Sequence, residues 1–391
     1  MAERRVRVVF DAHALSPHRS GIGEYSWHLI HAMLETCHAQ VDLHLYVPSG
    51  IHPVHDDRDV TRLTAAVRDG DFFRASHQWR LPRLLRHGGY DLLHTPDFLV
   101  PLICPVPIVS TVHDIIPIVH PEFIPRSMKV RLLPLFRAWA RRAVSGSAAV
   151  LTVSEHSKGD LVRRLGADPA RIVVIPAAPT LEPAGGPLPA RLAASLPAGK
   201  YFLYVGRADP YKGLAHLLRA FARARRDHGL ADLRLAVAGK LDARYEYRSL
   251  AAELGIDAQV VFLDYVDGTT LSALHAHALA YVHPSLYEGF GVPPLDAMRH
   301  GTPVVCSDRS ALPEVAGDAA LFVDPEHVGI FSDALREIAE NATLRRDLVR
   351  KGFLNVRRYS WNQTAKDTVS VYMRIASRFA CPDHSRTHDA A

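Results

Sequence analysis

The chain's 391 residues are too many for one small domain and suit two, at roughly 100–200 residues each. Apolar residues at 48% and charged residues at 22% are the proportions of a folded globular protein, which excludes a largely disordered, collagen-like or mucin-like chain. A net charge of +5 fits phosphate-bearing small molecules or an anionic membrane surface. With no clustered basic arm and no aromatic-rich RNA-binding motif, nucleic acid is not expected as a partner.

In chain order, the opening Met-Ala-Glu-Arg-Arg is followed by an apolar run too short for a secretory signal and ended by Asp11. No later run approaches the ~18–20 apolar residues that a bilayer span needs. The protein is therefore expected in the cytoplasm. Short apolar, β-branched runs predict strands at 5–11, 41–47, 91–94, 107–112, 149–153 and 172–175, and a second series at 201–205, 233–238, 260–263, 280–283 and 304–306. Runs this short and apolar suit parallel strands buried on both faces. Amphipathic helices separate them, the first over 22–37, and the alternation predicts an α/β doubly wound architecture. Between the two series, 179–199 gathers Pro179, Pro183, Pro187, Pro189 and Pro197 with Gly185, Gly186 and Gly199, a composition that sustains neither helix nor central strand. The expected organisation is a first domain over 1–185, a linker over 186–199, a second domain over 200–365, a helix over 366–380 packing back on the first domain, and a disordered tail over 381–391. Cys37, Cys104, Cys306 and Cys381 form no CxxC pair and fit free thiols in a reducing compartment.

Two segments carry the chemistry. PSLYEGFGVPPLDAM, 284–298, follows a strand and opens a helix. Gly289 and Gly291 leave amides unshielded where an anion at a helix N-terminus needs them, and Pro293 and Pro294 suit the first turn. Glu288 and Asp296 stand on either side of that turn, placed to grip sugar and ribose hydroxyls. VGRADPYKG, 205–213, also lies between a strand and a helix and offers Arg207 as a bidentate fork and Lys212 as a point charge, the pair a diphosphate requires. His275 with His277, and His52 with His55, lack matching carboxylates or cysteines for a metal. A DxD, Asp57 and Asp59, sits in a polar loop away from these segments.

These segments, with GTPVVCSDRSALPEVAGDAALFVDP further on, resemble the second domain of the family 4 retaining glycosyltransferases. The first domain is similar through Gly21-Ile22-Gly23-Glu24-Tyr25, Val112-His113-Asp114 and Thr152-Val153-Ser154-Glu155. The resemblance implies a GT-B fold, two Rossmann-like domains facing a central cleft, and a nucleotide-sugar donor. It implies His113, Arg207, Lys212 and Glu288 as catalytic positions, with Arg207 and Lys212 on the donor diphosphate, Glu288 on the sugar hydroxyls and His113 beside sugar and acceptor. Gly21, Gly23, Asp114, Gly289, Phe290, Gly291, Val292 and Asp296 complete the donor-binding set. Asp296 stands where the family usually has the second glutamate of an E-x7-E pattern, and 176–178 reads Pro-Ala-Ala where many members have Pro-Asn-Gly. Cationic side chains neutralise the diphosphate in such enzymes, so neither metal nor other cofactor is expected.

HDIIP and PSLYEGFGVPP resemble bacterial mannosyltransferases of lipopolysaccharide O-antigen or exopolysaccharide synthesis, which implies GDP-mannose, with a UDP-linked hexose as the other choice, and a saccharide or lipid-linked acceptor. The stretch 125–144 interleaves Arg126, Lys129, Arg131, Arg137, Arg141 and Arg142 with Leu132, Leu133, Leu135, Phe136 and Trp139, and is expected to touch anionic lipid peripherally. Competing readings are a GT-B epimerase or phosphorylase, an NAD-dependent dehydrogenase and a sugar-binding module. The dehydrogenase fingerprint fails, because Ser26 stands where its third glycine belongs and the first glycine lies too far beyond its strand.

Overall fold

The computed structural model describes residues 4–15, 21–48, 61–65, 75–124, 127–207, 209–240 and 246–379. His52, His55, Asp57, Asp59, Pro125, Arg126, Cys381 and the expected tail lie outside the described residues.

Two sheets form from the two series. The first holds β1 (Val6–Asp11), β2 (Val41–Pro48), β3 (Thr61–Ala65), β4 (Leu92–Thr95), β5 (Ile108–Thr111), β6 (Ala149–Thr152) and β7 (Ile172–Val174) in the order β3-β2-β1-β4-β5-β6-β7. The second holds β8 (Tyr201–Val205), β9 (Arg234–Ala238), β10 (Val260–Phe262), β11 (Ala280–His283), β12 (Val304–Ser307) and β13 (Ala320–Val323) in the order β10-β9-β8-β11-β12-β13. Every pairing is parallel. Helices cover the sheet faces, so strands such as β4, β6, β11 and β12 are buried at every position, as their unbroken apolar character requires. β3 and β13, which the apolar runs did not announce, are both edge strands.

Strand order reverses between β1 and β4 in one sheet and between β8 and β11 in the other. At such a point loops diverge to opposite faces and leave a crevice at the carboxyl ends of the strands. The connection after β7 contains one turn of helix, Ala190–Ala193, where none was expected; it starts directly after Pro189 and ends before Pro197. The chain closes with helix Trp361–Phe379, which packs on helix Ile22–Thr36 and on β1 and β4. Its start is tied to the connection, since Trp361 Nε1 donates to the Pro179 carbonyl at 2.9 Å and Thr364 Oγ1 to that of Pro176 at 2.8 Å.

Candidate active site

The two predicted loops leave β8 and β11, the strands that flank the reversal in the second sheet. The β8 loop makes a 3-10 turn, Pro210–Lys212, ending at Gly213 with φ +74°. A Cβ on Gly213 would lie 2.0 Å from the Pro284 carbonyl oxygen, so only glycine lets this loop close onto the end of β11. The result is direct contact between the two chemical groups. Lys212 Nζ donates to Glu288 Oε1 at 2.7 Å and Oε2 at 2.9 Å. His283 Nε2 lies 3.0 Å from Glu288 Oε1 while its Nδ1 is 2.8 Å from the Tyr281 hydroxyl, and the Glu288 amide donates to Ser310 Oγ at 2.8 Å.

The electrostatics follow from that cradle. Burial disfavours the Glu288 carboxylate, but the Lys212 ammonium and the His283 contact outweigh it and hold the carboxyl well below the usual range. Burial likewise disfavours the Lys212 ammonium, and Glu288 reverses the balance and raises it. Both groups are therefore charged at neutral pH in a site that admits little water. Arg207 projects outward, 69% exposed, with Nη2 2.9 Å from Asp209 Oδ2, and its guanidinium is near enough to Lys212 to oppose it. That orientation leaves most of the fork open to solvent.

Across the seam, His113 follows β5. Its ring packs edge-on against Tyr25 with centroids 4.6 Å apart, and Tyr25 sits in the first turns of helix Ile22–Thr36, whose N-cap is Gly21 (φ +52°) and whose second residue, Gly23, is buried. Burial lowers the His113 pKa against the pull of Asp114 and Asp97, so the imidazole is neutral at pH 7. Among the described residues its buried Nε2 has no hydrogen-bond partner. A group that would satisfy it belongs in the seam. Asp114 turns back to accept from the Ile116 amide at 3.1 Å.

Gly289 joins the two halves. Built onto it, a Cβ would lie 2.4 Å from the His113 carbonyl oxygen and 3.0 Å from Asp114 Cβ, so the backbones of the two sheets' loops touch there. Gly291, φ +111°, is the N-cap of helix Val292–Arg299, with Val292 half-buried at its first position and Phe290 packed edge-on to Tyr359.

Asp296 stands apart from the ion pair. Its Oδ1 accepts from the Thr180 and Leu181 amides at 2.8 and 2.9 Å, and Oδ2 from Thr180 Oγ1 at 3.2 Å. Burial raises it to about 7 in spite of those bonds. The structure thus unites Lys212, Glu288, Gly289, His113 and Asp114, keeps Arg207 on the rim and binds Asp296 to the connection. His283 and Ser310, which orient Glu288, were not singled out from sequence; the signal for His283 was a polar residue ending an otherwise apolar strand. Among the described residues, no group of three or more His, Cys, Asp or Glu side chains could hold a metal, and no helix is long and apolar enough to cross a membrane.

Two doubly wound parallel sheets that meet across a seam are the architecture of the GT-B class, which includes sugar-transferring enzymes. Residues 194–354 match the family Glycosyl transferases group 1, and residues 19–178 match Glycosyltransferase Family 4. The chain is 31% identical over 322 residues to the MMP alpha-(1->4)-mannosyltransferase of Mycolicibacterium hassiacum, covering 75% of this chain and 73% of that one. It is 29% identical over 309 residues to O-antigen chain mannosyltransferase B of Escherichia coli, covering 77% and 78%. In fold it is similar to sucrose-phosphate synthase from Thermosynechococcus elongatus, with a TM-score of 0.77 at 19% identity over 96% of this chain and 100% of the other. The chain belongs to glycosyltransferase family 4 and is a retaining glycosyltransferase that uses a nucleotide-sugar donor.

Proposed function

We propose that the chain transfers mannose from GDP-mannose to a saccharide or lipid-linked acceptor in the synthesis of a bacterial surface polysaccharide. The observation that carries this reading is the Lys212–Glu288 pair at the β8/β11 reversal, closed against the His113 backbone at Gly289. The mannosyltransferase names of both relatives support the sugar.

In this reading residues 200–365 hold the donor and residues 1–185 present the acceptor. The diphosphate displaces Glu288 from part of its contact with Lys212 and takes the exposed fork of Arg207, with the amides of Gly289–Gly291 beside it. Glu288, freed at one oxygen, accepts from sugar hydroxyls. Asp296 Oδ2, which accepts one bond, has capacity for a ribose hydroxyl. As the sugar C1–O bond breaks, negative charge collects on the leaving diphosphate, and these cations and amides, already in contact with it, favour that charge. The acceptor oxygen bonds to C1 on the same face, and its proton passes to the leaving phosphate oxygen. No protein nucleophile is required, and neutral His113 can hydrogen-bond to sugar or acceptor through Nε2.

Thermal shift tests the donor. GDP is expected to stabilise the protein by about 2.7 kcal/mol at a hundredfold excess over its Kd, and UDP at the same concentration to stabilise it less. Stronger stabilisation by UDP would overturn the mannose assignment, and no effect from either would overturn the donor site.

A lipid-linked acceptor would draw the first domain to a membrane surface. Helix Leu133–Gly146 buries Phe136, Ala140, Ala143 and Val144 and leaves Leu135 and Arg137 exposed, with Leu132 and Arg131 exposed just before it. On the same helix Arg142 holds the Leu102 carbonyl at 2.9 Å, beside exposed Leu102 and Ile103. Flotation with phosphatidylglycerol-containing vesicles is expected at low salt and reduced at high salt; no flotation at either sinks the membrane contact.

A further inference from the structure

The seam is held by contacts that no part of the donor reading uses. Helix Glu155–Leu165 and its N-cap carry Ser154, Ser157 and Asp160 at intervals of three, on one stripe. Ser154 Oγ accepts from the Ser157 amide at 3.0 Å and donates to the Gly289 carbonyl at 2.6 Å. Ser157 Oγ lies 3.1 Å from that same carbonyl and 2.9 Å from the His113 carbonyl. Ser154 thus donates to the Gly289 oxygen, while the single Ser157 proton lies between the two loop carbonyls, nearer that of His113. Asp160, 5% exposed and paired with Arg163 at 2.8 Å, accepts from the Tyr287 hydroxyl. From the opposite side, the Glu314 carboxylate accepts from the Glu155 and His156 amides at 2.8 and 3.1 Å, an anion at the positive end of the helix. Tyr287 and Gly289 are the residues on either side of Glu288. The helix of one sheet therefore grips the donor-side loop of the other immediately before and immediately after the carboxylate assigned to the sugar.

We infer that Ser154, Ser157, Asp160 and Glu314 are positioning residues, which lock this helix onto 287–289 and so set Glu288 in register with His113. The inference rests on the donor-site reading above. It separates two steps. Lys212, Arg207, the Gly289–Gly291 amides and Asp296, which hold the nucleotide in this reading, all belong to the second domain, so nucleotide binding survives opening of the lock. Transfer needs both sides of the seam in place, and displacement by about 1 Å is enough to cost on the order of a hundredfold in rate.

Three full-length variants test it: Ser154→Ala with Ser157→Ala, Tyr287→Phe, and Glu314→Gln. The last two leave the Ser154 cap intact, so they remain informative if the first folds poorly. GDP and UDP are the binding probes, release of GDP from GDP-mannose and of UDP from UDP-glucose reports turnover, and small-angle scattering with the bound nucleotide reports closure. The expected result is an unchanged nucleotide-induced thermal shift, a fall in release rate of about tenfold or more, and a larger radius of gyration. Wild-type release rates in Tyr287→Phe and Glu314→Gln would overturn the inference. So would parallel loss of nucleotide shift and turnover, which is what a merely structural role produces. Lys212→Ala is the reference for the underlying reading: if it keeps the full nucleotide shift, the donor site is misassigned, whereas the scattering result still judges the lock.

Discussion

Lys212→Ala is expected to lower turnover by about a hundred- to a thousandfold, the scale of losing one preorganised donor to a developing anion, about 2.7–4 kcal/mol of barrier. Stability should fall as well. Lys212 is 20% exposed and Glu288 12%, so the pair is mostly withdrawn from water, and removing one partner strands the other. For a fully buried pair that costs about 3–5 kcal/mol, and the residual exposure here puts the expected loss at or below the lower end. The two losses can be separated. Adding Glu288→Gln to Lys212→Ala removes the stranded charge, so urea denaturation should show stability recovering while turnover does not. The pH dependence has a definite sign. In the wild type the Glu288 carboxyl is held well below its ordinary value, so its contribution is present above about pH 4.5 and is lost as acid titrates it through the folded value. Without Lys212, burial is less opposed, the carboxyl is easier to protonate, and protonation relieves the variant. The stability gap between the two proteins should therefore be widest at neutral pH and close on acidification. Wild-type turnover in Lys212→Ala would end the donor-site reading.

What could be read in advance follows the kind of force that fixes each element. Strands such as β6 and β11 announce themselves because burial on both faces demands an unbroken apolar run. β3, Thr61–Ala65, reads Thr-Arg-Leu-Thr-Ala, polar at three of its five positions, and β13, Ala320–Val323, is four residues long with Leu321 and Phe322 only half-buried. Each pairs along one side alone, so neither needs that run. The chemical loops were legible for a similar reason: a glycine turn between strand and helix, with cations or carboxylates in it, has few other uses. Their mutual arrangement was not. Nothing in the spacing of Lys212 and Glu288 foretells that they touch, since that depends on the sheet order that brings β8 beside β11. Gly289 and Gly291 were read as bare amides for a phosphate, yet Gly289 is fixed by the His113 carbonyl, as Gly213 is by that of Pro284. Those constraints come from parts of the chain far away in sequence, where local pattern carries no information.

Gly289→Ala turns this last point into an experiment. The position is not in the left-handed region, so alanine is acceptable to its own backbone. The added Cβ would instead meet the His113 carbonyl oxygen at 2.4 Å and carbon at 3.1 Å, and Asp114 Cβ at 3.0 Å. Two of these atoms are backbone and cannot step aside by changing rotamer. Either the 287–291 loop bends away from β5 or the two sheets part along the seam, and overpacking of this kind costs about 1–3 kcal/mol. The second sheet has no such clash, so the Lys212 loop and nucleotide binding should survive, while turnover falls by on the order of a hundredfold because Glu288 no longer faces His113 in register. Gly213→Ala makes the contrast. There the clash is within the second domain, 2.0 Å from the Pro284 carbonyl oxygen and at φ +74°, so Lys212 itself is displaced and nucleotide binding should be lost together with turnover. Thermal shift with GDP and the rate of donor cleavage, measured on both variants, distinguish the two. Full turnover in Gly289→Ala would mean that the contact between the His113 and Gly289 backbones is not needed for transfer, and that the missing side chain serves the donor alone.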